Sequence, residues 1–361
     1  MKKSLLVGLF LFTVCQVLSY FELGSLSPSA MRMLGVVVLM AVFWLCESIP
    51  LAATSIIPLF AFPLLGIMPS NKVALAYGSN IIWLFMTGFF IAKALEKWGL
   101  HRRIAIQILK LIGLSPSRLI GGFLLATALI SCWISNTATT LLMLPIAIST
   151  IGEVAKLLEK QQIKMFATAL MLAICFGANI GGMGTPLGSP PNLIFLGVLQ
   201  ESFPNLPEIG FLHWMEIAFP IIGIFLILTW IYLLKSNRID RLRLSGKINL
   251  SKLEQSLGPI SKGELLVGIF FAMTIVLWIT RSDINIGTIT ISGWASALGL
   301  SKYIKDTAVG ALVCVILFAV KAPSDIGEST PLLDWKTAKD IHWEILLLFG
   351  GGIALSKGIQ V

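Results

Sequence analysis

The sequence predicts an all-α polytopic membrane protein. Of its 361 residues, 56% are hydrophobic and only 12% are charged, whereas soluble domains carry about 25% charged residues. Mean hydropathy is +0.89, and many apolar runs reach the roughly 17–25 residues that a helix needs to cross a bilayer. The net charge of +9 does not indicate a nucleic-acid partner, because the basic residues fall in short loops between apolar runs.

Nine apolar segments are predicted to span the membrane. The first could pass for a secretory signal peptide, but it lacks a clear A-x-A cleavage site and continues to Tyr20, which favours an uncleaved span. Residues 284–300 are only moderately apolar and are not assigned as a span. The predicted spans cover residues 5–20, 30–46, 51–68, 81–98, 166–198 with a break, 214–234, 265–280, 306–320 and 341–357.

Residues 100–110 predict an amphipathic helix that lies at the membrane interface. Apolar residues recur there at helical spacing beside His101, Arg102, Arg103 and Lys110. Together with the basic residues of 156–164 and 235–262, these charges fit cytoplasmic loops and a cytoplasmic N-terminus.

An uncharged polar segment interrupts the apolar sequence at residues 131–140. Six of its ten residues carry hydroxyl or amide groups, which cost several kcal/mol each in lipid unless they find partners. The flanking segment, 118–153, is barely long enough for two full spans and a turn. We therefore expect a re-entrant hairpin that turns at Ser135, Asn136 and Thr137, although the loop charges fit a pair of crossing helices equally well.

A second uncharged segment follows at residues 181–192, where four glycines and three prolines surround Thr185 and Ser189. Because glycine and proline break helices, this segment predicts a discontinuous fifth span. Two such breaks in apolar surroundings suggest two halves of one binding site. The alternatives are a plain helix cap for the first segment and an ordinary turn for the second. Asn192 fits a ligand-region residue or a cap equally well.

One internal repeat is visible. The segment LFMTGFFIAK from Leu84 resembles LFGGGIALSK from Leu348, at a constant offset of 264 residues. The two copies fall on spans of opposite direction, which is typical of an inverted-repeat transporter. The first copy precedes the hairpin and the broken helix, whereas the chain ends at Val361 soon after the second. We therefore expect an incomplete second repeat.

These motifs together resemble the divalent anion:sodium symporter (DASS) family. The matching segments are SNTATT at 135–140 and GGMGTPLGSPPN at 181–192, supported by ESIPLAATSIIPLFAFPLLG at 47–66, KWGLHRRIA at 97–105 and LLFGGGIAL at 347–355. The resemblance implies sodium-coupled uptake of dicarboxylates, of the succinate, malate or fumarate type, across the inner membrane by a homodimer. It also implies that a transport domain moves past a scaffold.

The resemblance implies specific site residues and no other cofactor. Sodium would be held around Ser131, Ser135, Asn136 and Gly188, and the substrate carboxylate would meet Asn136, Thr137, Ser189 and Pro190. The implied organisation places scaffold spans and the interfacial helix in 1–110, the transport region in 111–200, the sixth span and a basic loop in 201–262, and the start of the second repeat in 263–361.

Four other possibilities compete with a sodium-coupled carrier. An intramembrane enzyme is disfavoured because the sequence has no H-E-x-x-H, no G-x-S-x-G and no Cys/His pair within its spans. A proton-driven antiporter would place acidic residues where the two polar segments have none. A sodium-independent exchanger, or an inactive or regulatory remnant of a carrier, remains open. The five cysteines show no metal-ligand spacing and are expected to pack as small apolar residues.

Overall fold

The computed structural model describes residues 3–22, 26–203, 205–206, 209–239, 242, 255, 257–286, 289–323 and 329–360. The all-α prediction is confirmed, and strands form only two short hairpins within these residues. The helices are α1 (Lys3–Tyr20), α2 (Pro28–Leu45), α3 (Leu51–Thr54), α4 (Ile57–Leu64), α5 (Ser70–Tyr77), α6 (Asn80–Lys97), α7 (Leu100–Ile112), α8 (Pro116–Ser131), α9 (Asn136–Val154), α10 (Lys160–Gly182), α11 (Pro190–Ser202), α12 (Phe211–Ser236), α13 (Lys262–Ile279), α14 (Trp294–Ala297), α15 (Asp306–Ala319), α16 (Trp335–Ala338) and α17 (Trp343–Ile359).

Within the described residues, seven helical segments are long and apolar enough to cross a membrane. The predicted third and eighth spans form shorter apolar helices instead. Within 284–300, which was not assigned as a span, the structure describes two paired strands, Ile284–Ile286 and Ile289–Ile291, and the four-residue helix α14. Four basic residues of the predicted cytoplasmic loop, at positions 241, 243, 247 and 252, lie outside the described residues. The seven segments are Lys3–Tyr20, Pro28–Leu45, Ser70–Lys97, Asn136–Val154, Lys160–Gly182, Phe211–Ser236 and Lys262–Ile279.

The chain divides into two compact units that are discontinuous in sequence. The first comprises Met1–Met86, Ile194–Glu208 and Ile341–Val361, and the second comprises Thr87–Leu193 and Ile209–Asp340. Each unit therefore combines segments from several of the four sequence regions that the resemblance implies.

In the first unit, the predicted third span is split into α3 and α4. Pro58 has no N–H to donate to the carbonyl of Thr54, so the helix cannot continue through this point. The phenol of Tyr77, at the end of α5, donates a hydrogen bond of 2.5 Å to the Ser55 carbonyl in the gap between the two helices. A neighbouring side chain thus donates a hydrogen bond to a backbone carbonyl at the split.

The first residues of the two copies of the internal repeat meet in the first unit. Phe85 on α6 and Phe349 on α17 occupy equivalent positions in the repeat, and their ring centroids lie 4.8 Å apart. Contact between equivalent residues is what a twofold relation between the two copies would produce. The inverted orientation across a membrane stays a prediction.

In the second unit, α8 and α9 form a helical hairpin beside α10, which ends at Gly182 before the break. Helices α8 and α10 approach so closely that their main chains touch. A Cβ placed on Gly177 would lie 2.6 Å from the Leu124 carbonyl oxygen, and one on Gly181 would overlap the Ala128 carbonyl. The four-residue spacing of the two glycines matches that of the two carbonyls, as in close-packed membrane helices.

Two ion pairs connect helices α7, α12, α13 and α15 of the second unit. Arg281, after α13, places its Nε 2.5 Å from Oδ1 of Asp306 at the start of α15. Oδ2 of Asp306 accepts from the backbone N–H of Phe211 at 3.2 Å, so this pair also holds the start of α12. On α7, Arg103 makes two 3.0 Å hydrogen bonds to the carboxylate of Glu264 in the first turn of α13.

The predicted amphipathic helix is present as α7. Two of its residues, Arg103 and His101, lie in different environments. Arg103 forms an ion pair with Glu264. His101 lies with Nδ1 3.1 Å from the Leu95 carbonyl oxygen, and burial lowers the pKa of its imidazole. His101 therefore favours the neutral form, in which its Nδ1–H donates to this carbonyl.

The strands β1 (Ile284–Ile286) and β2 (Ile289–Ile291) pair antiparallel, as do β3 (Lys321–Pro323) and β4 (Ser329–Pro331). The second hairpin is tied to the end of α6, where Nζ of Lys97 lies 2.6 Å from both the Pro331 carbonyl oxygen and Oδ2 of Asp334. That hydrogen bond from Lys97 lowers the pKa of Asp334.

Candidate functional site

The hairpin turn is short and is closed by its own polar residues. Helix α8 ends at Ser131, and α9 begins at Asn136 after a four-residue turn. Ser135 is the N-cap of α9, and its Oγ accepts a hydrogen bond of 3.3 Å from the Ala138 N–H. Ser, Asn and Thr are favoured at helix starts because they satisfy backbone N–H groups that have no partner within the helix. Of the predicted turn residues, Ser135 therefore closes the turn, whereas Asn136 and Thr137 already belong to the first turn of α9.

The helix break between α10 and α11 covers residues 183–189. Asn192 holds it closed, because its Nδ2 donates to the carbonyls of Gly182 at 2.7 Å and Thr185 at 2.8 Å. The indole of Trp214 on α12 donates to the Met183 carbonyl at 2.9 Å. Leu187 fills the space beside Gly88 of α6, where a Cβ would lie 2.6 Å from a leucine methyl carbon. Two roles were predicted for Asn192, a ligand-region residue or a cap, and the structure shows it as a cap.

The hairpin turn and the helix break are joined directly. The hydroxyl of Thr185 donates to the Cys132 carbonyl. Gly188 lies against the backbone of both segments, since a Cβ at this position would be 2.6 Å from the Gly182 oxygen, 2.9 Å from the Ser131 oxygen and 3.1 Å from the Cys132 oxygen. Three carbonyl oxygens therefore converge on one glycine, and a side chain there would fill the space between them.

The side-chain oxygen of Asn136 lies next to this carbonyl cluster, beside Gly182. Its Oδ1 lies 2.5 Å from the position that a Cβ on Gly182 would take, and it accepts a 2.8 Å hydrogen bond from the Ser131 hydroxyl. The Ser131 hydroxyl is also 2.8 Å from the Ala178 carbonyl oxygen. One hydroxyl proton is thus shared between two acceptors, so one acceptor retains free lone-pair capacity.

The other predicted site residues lie at the N-termini of two helices. Thr137 is exposed in the first turn of α9, whereas Ser189 directly precedes α11 and Pro190 begins it, both half-buried. Helix N-termini carry partial positive charge and favour anions. The structure therefore brings Ser131, Asn136 and Gly188 together, uses Ser135 as a cap, and places the remaining three at two helix starts.

Asn179 is a site residue that the sequence analysis missed. It lies on α10, and its Oδ1 is 3.3 Å from Nδ2 of Asn136. The available signal was an amide side chain inside an otherwise apolar helix, three residues before Gly182. Polar side chains in such helices usually face a functional cavity or a partner helix.

The sequence matches the family described as "Sodium:sulfate symporter transmembrane region" over residues 3–361. The chain belongs to this family. Curated relatives include the "Sodium-dependent dicarboxylate transporter SdcS" of Staphylococcus saprophyticus subsp. saprophyticus, which is 35% identical over 363 residues. The SdcS proteins of Staphylococcus aureus strains MSSA476 and MW2 are also 35% identical over 363 residues. In each case the alignment covers 99% of this chain and 67% of the relative.

Membership of the sodium:sulfate symporter family confirms the resemblance to divalent anion:sodium symporters. It also places this chain among membrane transporters, a class consistent with the seven long apolar helical segments of the described residues. Whether the second repeat is incomplete stays a prediction.

Proposed function

We propose that this protein is a sodium-coupled carrier of dicarboxylate anions. The observation that carries the proposal is the convergence of three backbone carbonyls around Gly188, with the Asn136 amide oxygen next to Gly182 and bonded to the Ser131 hydroxyl. Carbonyl oxygens at helix breaks are typical sodium ligands in secondary transporters. The dicarboxylate specificity comes from the relatives, which are named as sodium-dependent dicarboxylate transporters.

Sodium would be held by neutral oxygens. Ser131, Ser135, Asn136 and Gly188 supply two hydroxyls, an amide oxygen and backbone at the break. On sodium binding, the Ser131 hydroxyl can direct its proton to the Ala178 carbonyl, which it already approaches at 2.8 Å. Lone pairs of Ser131 and Asn136 are then available to the cation.

The anion would be held by hydrogen-bond donors next to the bound cation. Candidates are the Asn136 amide, the Thr137 and Ser189 hydroxyls, and the backbone at the helix start that Pro190 defines. None of residues 131–140 and 181–192 carries a charge, so sodium would be the principal positive charge opposing the substrate. We therefore infer that sodium binds first and the anion second.

The carrier would work as a multi-pass homodimer in the inner membrane, with its N-terminus in the cytoplasm. The basic residues of α7 and of the segment after α9 support that orientation. Residues 111–200 would form the core of the moving transport region and 1–110 most of the scaffold. Residues 201–262 would supply the sixth span and a cytoplasmic basic loop, and 263–361 the start of the second repeat.

Uptake of labelled succinate into proteoliposomes, in sodium and in choline buffer, tests this function. We expect uptake only in sodium, and we expect Asn136→Ala to abolish it while Asn237→Ala, at the end of α12, does not. Equal uptake in both buffers would instead indicate a sodium-independent exchanger. Reconstituted, folded protein without uptake in either buffer would favour an inactive or regulatory remnant.

A further inference from the structure

Asn179 connects the hairpin turn to the broken helix through side-chain amides. Its Nδ2 donates to the Cys175 carbonyl at 2.9 Å, and its Oδ1 accepts from Nδ2 of Asn136 at 3.3 Å. Asn136 in turn accepts from the Ser131 hydroxyl through Oδ1. A continuous series of hydrogen bonds therefore runs from the backbone of α10 to the carbonyl cluster around Gly188.

The series has only one possible direction. A backbone carbonyl can only accept, so the Asn179 group that faces Cys175 must be the NH₂. Oδ1 of Asn179 then faces Asn136, which must present its own NH₂ in return. Oδ1 of Asn136 is consequently directed at Ser131 and the carbonyl cluster. The acceptor in α10 thus determines which end of the Asn136 amide faces the cluster.

This orientation decides what the cluster can bind. With Oδ1 inward, Asn136 adds a lone pair to three carbonyl oxygens and the cluster attracts a cation. With the amide reversed, two N–H groups would face the same space and repel a cation. We propose that Asn179 is a positioning residue for sodium binding, which acts by fixing the Asn136 amide. This inference rests on the sodium-coupled function proposed above.

The competing reading is that Asn179 merely satisfies its own helix. Asn237 provides the comparison, because its Nδ2 donates to the Leu233 carbonyl at 3.1 Å, the same bond to the residue four positions earlier. Asn237 lies at the C-terminal cap of α12, away from both polar segments in the sequence. Only Asn179 continues the bond to a second amide, and Asn237→Ala is therefore a matched control.

The test compares wild type, Asn179→Ala, Asn179→Asp and Asn237→Ala in proteoliposomes. Two quantities are measured: the sodium concentration for half-maximal succinate uptake, and the KM for succinate at saturating sodium. The sodium-induced rise in Tm of the purified protein, with choline as reference, gives a readout that needs no transport.

We expect Asn179→Ala to raise the half-maximal sodium concentration about fivefold, the worth of one hydrogen bond, and to reduce the Tm rise. Asn179→Asp keeps the acceptor for Asn136, so its sodium response should not weaken. Its added negative charge should instead raise the KM for succinate. Asn237→Ala should resemble wild type in both quantities.

The outcomes separate this inference from the proposed function. If wild type responds to sodium and Asn179→Ala responds at the same concentrations, the positioning role is wrong and the carrier function stands. Wild type without a sodium response in uptake or in Tm would overturn both. If Asn179→Ala does not fold, Asn179→Asp decides, since a weakened sodium response with the acceptor retained would contradict the positioning role.

Discussion

Two regions of the second unit bury polar groups in opposite ways. Around Gly188, neutral hydroxyls and amides meet backbone carbonyls, and the segments that supply them carry no charge. At the junction of α12, α13 and α15, full charges meet, since Arg281 and Asp306 pair with side chains only 8% and 9% exposed. A stack of aromatic rings links the two regions, with Trp133 on Phe211 at 5.8 Å and Phe211 on Trp278 at 4.5 Å.

The difference separates a closed ion pair from the neutral cluster that we propose as the cation site. At the junction, the carboxylate of Asp306 already has its countercharge in Arg281, and a backbone N–H occupies its second oxygen. Around Gly188, the Gly182 and Cys132 carbonyls accept hydrogen bonds from Asn192 and Thr185, and each carbonyl oxygen has a second lone pair. Buried charge is costly unless it is paired, so a site that binds and releases a cation is best built from neutral oxygens.

Gly188→Ala should have the largest effect on the neutral region. Its Cβ would meet the Gly182 and Ser131 oxygens at 2.6 and 2.9 Å, and these are backbone atoms that cannot rotate away. We expect the half-maximal sodium concentration in the uptake assay to rise on the order of 100-fold, the usual scale for displacing a functional group by about 1 Å.

Gly152→Ala is the matched control for that substitution. Gly152 lies inside α9 with no atom within 4 Å of an added Cβ. Alanine there should leave the sodium response unchanged and raise stability by up to about 1 kcal/mol, because glycine is unfavourable in helix interiors. A normal sodium response in Gly188→Ala would show that the carbonyl cluster is not the cation site.

Arg281→Ala should have the next largest effect, on stability. It leaves Asp306 charged and buried, which typically costs about 3–5 kcal/mol. We expect the double variant Arg281→Met with Asp306→Leu to recover part of this loss, since no unpaired charge remains. The measurement is the free energy of unfolding in detergent, from denaturant titration. Equal stability of Arg281→Ala and wild type would refute the view of this junction as a closed pair.

Ser135→Ala should have the smallest effect on stability and a diagnostic effect on sodium. Loss of an N-cap costs about 1 kcal/mol, and Ser115, the N-cap of α8, makes the equivalent bond to the Arg118 N–H at 3.4 Å. We expect similar Tm losses for Ser115→Ala and Ser135→Ala. Only Ser135→Ala should also raise the half-maximal sodium concentration. An unchanged value would mean that Ser135 acts only as a helix cap.

The fold class and the two polar segments could be predicted from the sequence because hydropathy and helix-breaking residues are local signals. The hairpin turn after Ser131 and the helix break before Pro190 were found within a few residues in this way. The split of the third span was harder to predict from the sequence. Pro58 interrupts the helix only because it lacks the N–H that would bond the Thr54 carbonyl.

The assembly of the site could not be predicted from the residues in the same way. Asn179 lies 43 positions from Asn136, and the Cys132 carbonyl is 53 positions from Thr185. Such pairs depend on how α8 packs on α10, which a single sequence does not encode locally. The family resemblance supplied Ser131, Asn136 and Gly188 together, but it did not indicate Asn179.

The glycine face of α10 has a consequence for genetics. Substitution of Gly181 by alanine would press against the Ala128 carbonyl, a group that every residue possesses. No smaller neighbour can relieve that contact, so a screen for second-site revertants should recover none at position 128. Gly88 differs, because its obstacle is the side chain of Leu187. Gly88→Ala should therefore yield revertants in which Leu187 becomes valine or alanine.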